Sequence, residues 1–450
     1  MSVIAELSKY ILVILSALYA MKCFTVFRRK KDETHRGGSY LFQNILMFLI
    51  HFICYVNIFI NTLEIEILLF YGAQFLLFLV TLIIYGTMYK RASRLIINNM
   101  CFLLMIGFVI LTRLDVTLAW KQFFIAIVAL AISVFIPIMI EKFKFLNRLT
   151  VLYGLVGLGL IASVFVFGKK VYGATNWIEI GPIGLQPSEL AKIVFVFFVA
   201  AALTGREEIK FGRIVVVTGI AAAFVLLLVV EKDLGAAVIF FVTYLVMLYV
   251  ATEKFRYLVL GLLGGSGAAV VAYKLFSHVR VRVQVWSNPW TNYETTGYQI
   301  AQSLFAVGTG GWFGLGLYQG MPKSIPVVVS DFVFAAIAEE MGTLFAICLI
   351  LIYISCFIMF INISLQLTRP FYKILAIGLS VSYGFQLFLC IGGVIKLIPH
   401  TGVTLPLISY GGSSVLSTII IFAVIQGLYL LRQKEVRELE RQRQQAEWKE

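Results

Sequence analysis

Charge is what this sequence has least of. Asp, Glu, Lys and Arg make up only 13% of its 450 residues, against 60% hydrophobic residues. Soluble domains run nearer a quarter charged and half apolar, so that class is excluded. Histidine and cysteine are sparse as well. The four His form no HExxH, and the six Cys (Cys23, Cys54, Cys101, Cys348, Cys356, Cys390) lie in or beside apolar runs without metal-ligand spacing. A structural metal site and a disulfide scaffold are thereby excluded. No RNA- or DNA-binding motif accompanies the formal net charge of +14. The glycines of GTGGWFGLG follow no strand of a βαβ unit, which rejects a dinucleotide fingerprint.

What the chain has is long apolar runs. A spanning helix needs about 20 such residues. Thirteen runs qualify, at about 3–22, 41–60, 66–86, 99–113, 118–140, 149–167, 188–204, 213–230, 234–251, 257–275, 332–360, 371–395 and 412–431. The expected class is therefore an all-α polytopic membrane protein. The first run carries Glu6 and Lys9, lacks a basic leading segment and a small-residue cleavage site, and reads as a retained helix. Twenty-five of the 37 Lys and Arg fall in one alternate set of loops and in the tail, which marks that set as cytoplasmic. The C-terminus is then inside, the N-terminus outside, and the 276–331 loop outside. The charged tail, 432–450, reads as a helix reaching into the cytoplasm.

The loop from Ala272 to Phe332 interrupts the apolar pattern with Arg280, Arg282, Lys323, three Trp and a lone Asp331 at its end. Cations are normally sparse on the outer face, so something anionic is expected to hold them there. WSNPW and SIPVV break the loop on either side of YQIAQSLFAV, which predicts short helices between them. Asp331 reads either as a helix start or as an isolated carboxylate among cations. A carboxylate base beside cations that hold an anionic leaving group is the logic of transfer from a phosphate ester.

Three other outward segments stand out. In GATNWIEIGPIGLQPSELAK, Pro187 suits a first helical turn and Glu189 suits its dipole, but Lys192 lies one turn inside an apolar helix, where a cation is costly. Glu189 is close enough to pair with it. In EKDLGAAV, Asp233 begins a span, so capping and substrate contact both fit. In IPHTGVTLPLISYGGSS, two Pro and three Gly predict a broken helix lining a cavity or buried in protein. Ser409 there has no His/Asp partner, which argues against a serine hydrolase. Glu339 and Glu340 lie in the run after Asp331, where adjacent carboxylates need partners.

GATNW with QPSELAK, EKDLGAA, GYQIAQSLFAVGTGGWFGLGL, SDFVFAAIAEEMG and TGVTLPLISYGGSS occur in this order over about residues 99–431. In these five segments the chain resembles the SEDS family (shape, elongation, division and sporulation), the family of FtsW, RodA and SpoVE. The resemblance implies a ten-helix core over 99–431, three extra N-terminal helices in 1–98, and a bacterial inner-membrane glycosyltransferase that polymerises lipid II into glycan strands. It also implies a class B penicillin-binding protein as transpeptidase partner. By motif, Asp331 resembles the family's essential outer-loop Asp and Trp177 its first-loop Trp. The candidate substrate-binding set around Asp331 is Trp177, Glu189, Lys192, Asp233, Arg280, Arg282, Glu339, Glu340 and Ser409, with Arg280, Arg282 and Lys192 as stabilisers of a departing pyrophosphate. Asp331 would deprotonate the acceptor hydroxyl or help place a divalent cation (Mg or Mn). Asn176 stands where many members have Arg, and Val329 and Ser330 where many have His-Thr. A lipid II flippase and a non-catalytic scaffold are the rival readings.

Overall fold

In lipid a chain must satisfy its backbone hydrogen bonds internally, and the apolar runs do so as helices. The computed structural model describes residues 2–28, 33–143, 145–171, 174–181, 183–205 and 209–447. Its first half holds α1 (Ser2–Arg28), α2 (Glu33–Thr62), α3 (Ile65–Met88), α4 (Arg94–Leu114), α5 (Val116–Lys142) and α6 (Thr150–Phe167). Three strands follow, β1 (Lys169–Val171), β2 (Ala174–Ile180) and β3 (Ile183–Leu185), then α7 (Pro187–Ala202), α8 (Phe211–Val230), α9 (Leu234–Thr252) and α10 (Phe255–Leu275). The interrupting loop carries α11 (Ser277–Ser287), α12 (Tyr298–Gly310) and α13 (Val333–Met341); α14 (Thr343–Leu365), α15 (Pro370–Val394) and α16 (Gly412–Glu447) complete the chain.

Among the described residues twelve helices are long and apolar enough to cross a membrane, and the protein is a multi-pass membrane protein. The thirteenth expected span is α7, only 16 residues long. At 1.5 Å per residue it rises about 24 Å, short of a hydrocarbon core of about 30 Å. It stands inside the bundle against α6, α9 and α15.

Two expectations need correction. The run over 332–360 is two helices, broken at Gly342, whose φ is +88°. An added Cβ there would meet Gly314 N at 2.4 Å, because the 311–316 loop packs against the break. Thr343 N and Leu344 N donate to Gly311 O and Trp312 O, while Leu315 N and Gly316 N donate to Glu339 O and Glu340 O. The loop thus satisfies the backbone groups that the break exposes. The second correction is the antiparallel sheet β1–β2–β3, unexpected in an all-helical reading. Its cause is visible in TNWIEI-GP-IGL, where alternating side chains flank a turn at Gly181, φ +62°.

Buried polar bonds fasten the three N-terminal helices to the rest. Tyr19 OH donates to Asn99 Oδ1 (3.0 Å), and Asn99 Nδ2 donates to Ser355 Oγ (2.8 Å), which ties α1, α4 and α14 together. Helix α4 becomes the central helix, its apolar window 100% buried.

The expected broken helix between α15 and α16 is an irregular segment, 395–411, whose second half is buried. Its backbone is satisfied from the surrounding helices. Gln122 Nε2 donates to Ser409 O (3.1 Å) and its Oε1 accepts from Gly411 N (2.9 Å). Tyr353 OH donates to Pro406 O (2.6 Å), and Gln386 Nε2 to Thr404 O (3.2 Å). Such backbone at membrane depth is tolerated only inside protein. Gly107 on α4 makes room for it, since a Cβ there would lie 2.7 Å from Leu407 O.

Helix order brings the sheet, the α8–α9 turn, the 276–342 segment and the 395–411 segment to one end of the bundle. All four motif-bearing segments meet there.

Candidate active site

Asp331 precedes α13 without capping it. The N-cap position is Phe332, and no side chain accepts a hydrogen bond there. The Asp331 carboxylate accepts no hydrogen bond among the described residues; the His400 ring nitrogen Nε2 lies 3.8 Å from Oδ2. The backbone around it is held firmly. Tyr410 N donates to Val329 O (2.7 Å), and the Ser409 hydroxyl donates to Ser330 O and accepts from Leu405 N. Ser409 is buried and serves as this strut.

A cavity of about 480 Å³ opens in front of Asp331, lined among others by Arg282, Trp286, Thr295, Gln299, Lys396 and His400. Arg282 comes from α11, and one of its nitrogens donates to Thr401 O at 3.2 Å. Burial lowers the affinity of its guanidinium for its proton, while Asp233 and Asp331 act the other way. Lys396 and Val327 line the same space with φ of +60° and +57°. Left-handed backbone at a Lys and a β-branched Val is strained, and strain of this kind gathers at functional sites. Arg282 and Lys396, which line the same cavity as this unpaired carboxylate, suit an anionic ligand.

The other candidates separate into groups. Asp233 is saturated: Oδ1 accepts from Ala236 N (3.0 Å), so it caps α9, while Oδ2 accepts from Gln186 Nε2 (2.9 Å), Asn176 Nδ2 (3.3 Å) and Ser188 Oγ (3.3 Å). Asn176 therefore engages Asp233 as a neutral donor. Lys192 Nζ is bound to Glu189 Oε2 (2.9 Å) and Gln386 Oε1 (2.6 Å), and Ser417 Oγ also donates to Glu189 Oε2 (2.7 Å). Gln186, Ser188, Glu189, Lys192 and Asp233 line a second, small cavity of about 30 Å³, which shares Gly402 with the first. Lys192 does not line the Asp331 cavity.

Glu339 and Glu340 do not line it either. Glu340 pairs with Arg113 of α4 at 2.9 Å, and Glu339 Oε1 accepts from Met321 N at 2.9 Å. Arg113 also lies over the Tyr318 ring, 4.0 Å from its centroid. The two carboxylates fasten the 311–321 stretch to the bundle. Arg280 and Lys323 are exposed and outside the cavity. Trp177 lies on β2 paired with Lys169 of β1, and its ring lies against Gly184 of β3, where an added Cβ would meet it at 3.1 Å. Lys396 and His400 are cavity residues that sequence reasoning missed. A Lys and a His flanking LIP in an apolar stretch were the available signal.

Glu231, at the α8–α9 turn, is buried, and neither of its carboxylate oxygens has a hydrogen-bond partner among the described residues. Burial, then the neighbouring Asp233, pushes its carboxyl up to about 8. Between the ordinary carboxylate range and pH 8 the unfolded chain releases this proton and the folded chain keeps it, so stability falls as pH rises through that window. Glu231→Gln is expected to melt at a higher temperature than the parent at pH 7.5 and at the same temperature at pH 4. Equal melting at both pH values would contradict the burial argument.

The geometry defines a class: a helical multi-pass membrane protein with a cation-lined cavity at one end, closed by a free carboxylate. The chain belongs to the cell cycle protein family of FtsW, RodA and SpoVE, whose profile matches residues 93–433. It is 34% identical over 347 residues to the peptidoglycan glycosyltransferase RodA of Mycobacterium tuberculosis, covering 71% of this chain and 74% of that one. To the probable peptidoglycan glycosyltransferase FtsW of Legionella pneumophila it is 36% identical over 282 residues, 60% of this chain and 71% of that one. Among solved structures it is similar to a chain of a peptidoglycan synthase complex that coordinates polymerization and crosslinking, with a TM-score of 0.66, 25% identity and coverage of 76% and 99%. Thermus thermophilus RodA aligns with a TM-score of 0.57 at 25% identity, covering 76% of this chain and 98% of that one.

Proposed function

We propose that this protein is a peptidoglycan glycosyltransferase that polymerises lipid II at the outer face of the bacterial cytoplasmic membrane. The observation that carries the reading is the uncommitted Asp331 carboxylate in a cavity lined by Arg282 and Lys396. The relatives named as peptidoglycan glycosyltransferases supply the reaction class. The end of the bundle that holds the cavity is the outer one, opposite the loops rich in Lys and Arg, with the C-terminus inside.

In the reaction, Asp331 takes the proton of the acceptor sugar's 4-hydroxyl. The oxygen attacks the anomeric carbon of the donor, and the bond to the lipid pyrophosphate breaks with inversion. Arg282 and Lys396 offset the charge that develops on the departing pyrophosphate, at greater effect in a partly dry cavity. A class B penicillin-binding protein crosslinks the product, a pairing supported by the likeness to a chain of a synthase complex.

The test is the purified protein with labelled lipid II, with and without its partner, scored for glycan polymer and for transbilayer movement of the lipid. Polymer supports the reading. Movement without polymer selects a flippase, and absence of both in the presence of an active partner selects a scaffold.

A further inference from the structure

His400 is an ionisable group beside Asp331 that no hydrogen bond uses. Its ring stacks on Phe332, the residue after Asp331, with centroids 4.5 Å apart. Gly393 of α15 leaves the ring its place, since a Cβ there would lie 2.9 Å from Nδ1. The ring is thus clamped between two elements, with Nε2 3.8 Å from Asp331 Oδ2. Both ring nitrogens are buried and lack a hydrogen-bond partner among the described residues. A buried polar group left without a partner is unfavourable, so its retention calls for a partner that arrives later. Catalytic hydrogen bonds often stand too long in the free enzyme and tighten when substrate loads. The two residues before Asp331, Val329 and Ser330, offer no ionisable group. The other charged or titratable residues lining this cavity are Arg282 of α11, Tyr298 of α12 and Lys396 after α15, and the buried Cys390 of α15 lies close to Asp331.

We propose that His400 is the positioning residue for Asp331: Nε2–H donates to Oδ2 when the acceptor sugar enters, which leaves Oδ1 turned to the acceptor hydroxyl. This rests on the reading of Asp331 as the base. The hydroxyl proton passes to Oδ1 as the new C–O bond forms, and the electron pair of the broken bond leaves with the pyrophosphate. His400 keeps its own proton throughout.

Two variants of the full-length protein separate positioning from packing. His400→Phe keeps an aromatic ring against Phe332 without a donor, and His400→Gln keeps a donor near the place of Nε2. With labelled lipid II, His400→Phe is expected to lower kcat roughly 10- to 100-fold with KM nearly unchanged, the scale of a misplaced catalytic group. His400→Gln should recover most of that loss, with melting temperatures equal in both. Wild-type kcat in the Phe variant, or equal impairment in the two variants, overturns the proposal. If the Phe variant does not purify folded, His400→Leu replaces it; if neither folds, His400 is a packing residue and the proposal fails. Asp331→Asn runs alongside. Its full activity would sink the base reading, whereas an inactive Asp331→Asn beside an active His400→Phe sinks only the role of His400.

Discussion

Asp331→Asn is expected to lower lipid II polymerisation by at least about 100-fold, the lower end of what a positioned base contributes. The substitution preserves size and shape and removes only the charge and the basic lone pair. The fold should not register it. Asp331 caps no helix, and its carboxylate accepts no hydrogen bond among the described residues. The segment is held instead by backbone carbonyls, Val329 O by Tyr410 N and Ser330 O by Ser409. Melting temperature and partner binding should therefore match the parent while polymer disappears from a gel of labelled product. Wild-type polymer would remove Asp331 from the mechanism. The same substitution at Asp233 should behave differently, because that carboxylate caps α9 and receives three side-chain hydrogen bonds. An Asn Oδ1 can still accept from Ala236 N and keep the cap, but its amide NH2 would replace the oxygen that accepts from Gln186, Asn176 and Ser188, so Asp233→Asn would confound folding with chemistry.

The contrast between these two aspartates shows what the sequence could carry. Each stands at a loop-to-helix return, and each reads as a cap or as a ligand. Only the structure separates them, because a cap depends on where the helix starts, and α13 starts at Val333, two residues past Asp331. Eleven of the thirteen spans were legible, since the bilayer imposes their length and hydrophobicity, whereas the break at Gly342 and the shortness of α7 were not. The i,i+3 pairing of Glu189 with Lys192 was legible too, and the ion pair is present at 2.9 Å. The partner of Glu340 was not, for Arg113 lies 227 residues away on α4. Long-range pairing of this kind has no local signature. His400 and Lys396 were hidden for a related reason: they stand in an irregular segment whose path is set by side chains from α5, α14 and α15.

Lys192→Met is expected to damage the protein through its stability. The side chain is 5% exposed, and its ammonium is in an ion pair with Glu189 and also donates to Gln386 Oε1. Removing one partner of a buried pair leaves an uncompensated charge and costs about 3–5 kcal/mol. Here the stranded group is Glu189, which among the described residues keeps only the donor of Ser417. Gln386 loses a partner as well, and through Gln386 the loss reaches Thr404 O in the segment that carries His400 and Ser409. The single variant should show a markedly lower melting temperature in detergent and reduced yield. Glu189→Gln combined with Lys192→Met should recover much of that loss, because a neutral pair of similar volume strands no charge. If Lys192 instead bound the pyrophosphate, the single variant would melt like the parent and show a raised KM for lipid II, and the double variant would be no better. The melting curve and the KM therefore decide between a strut and a ligand, and the distances to Glu189 and Gln386 favour the strut.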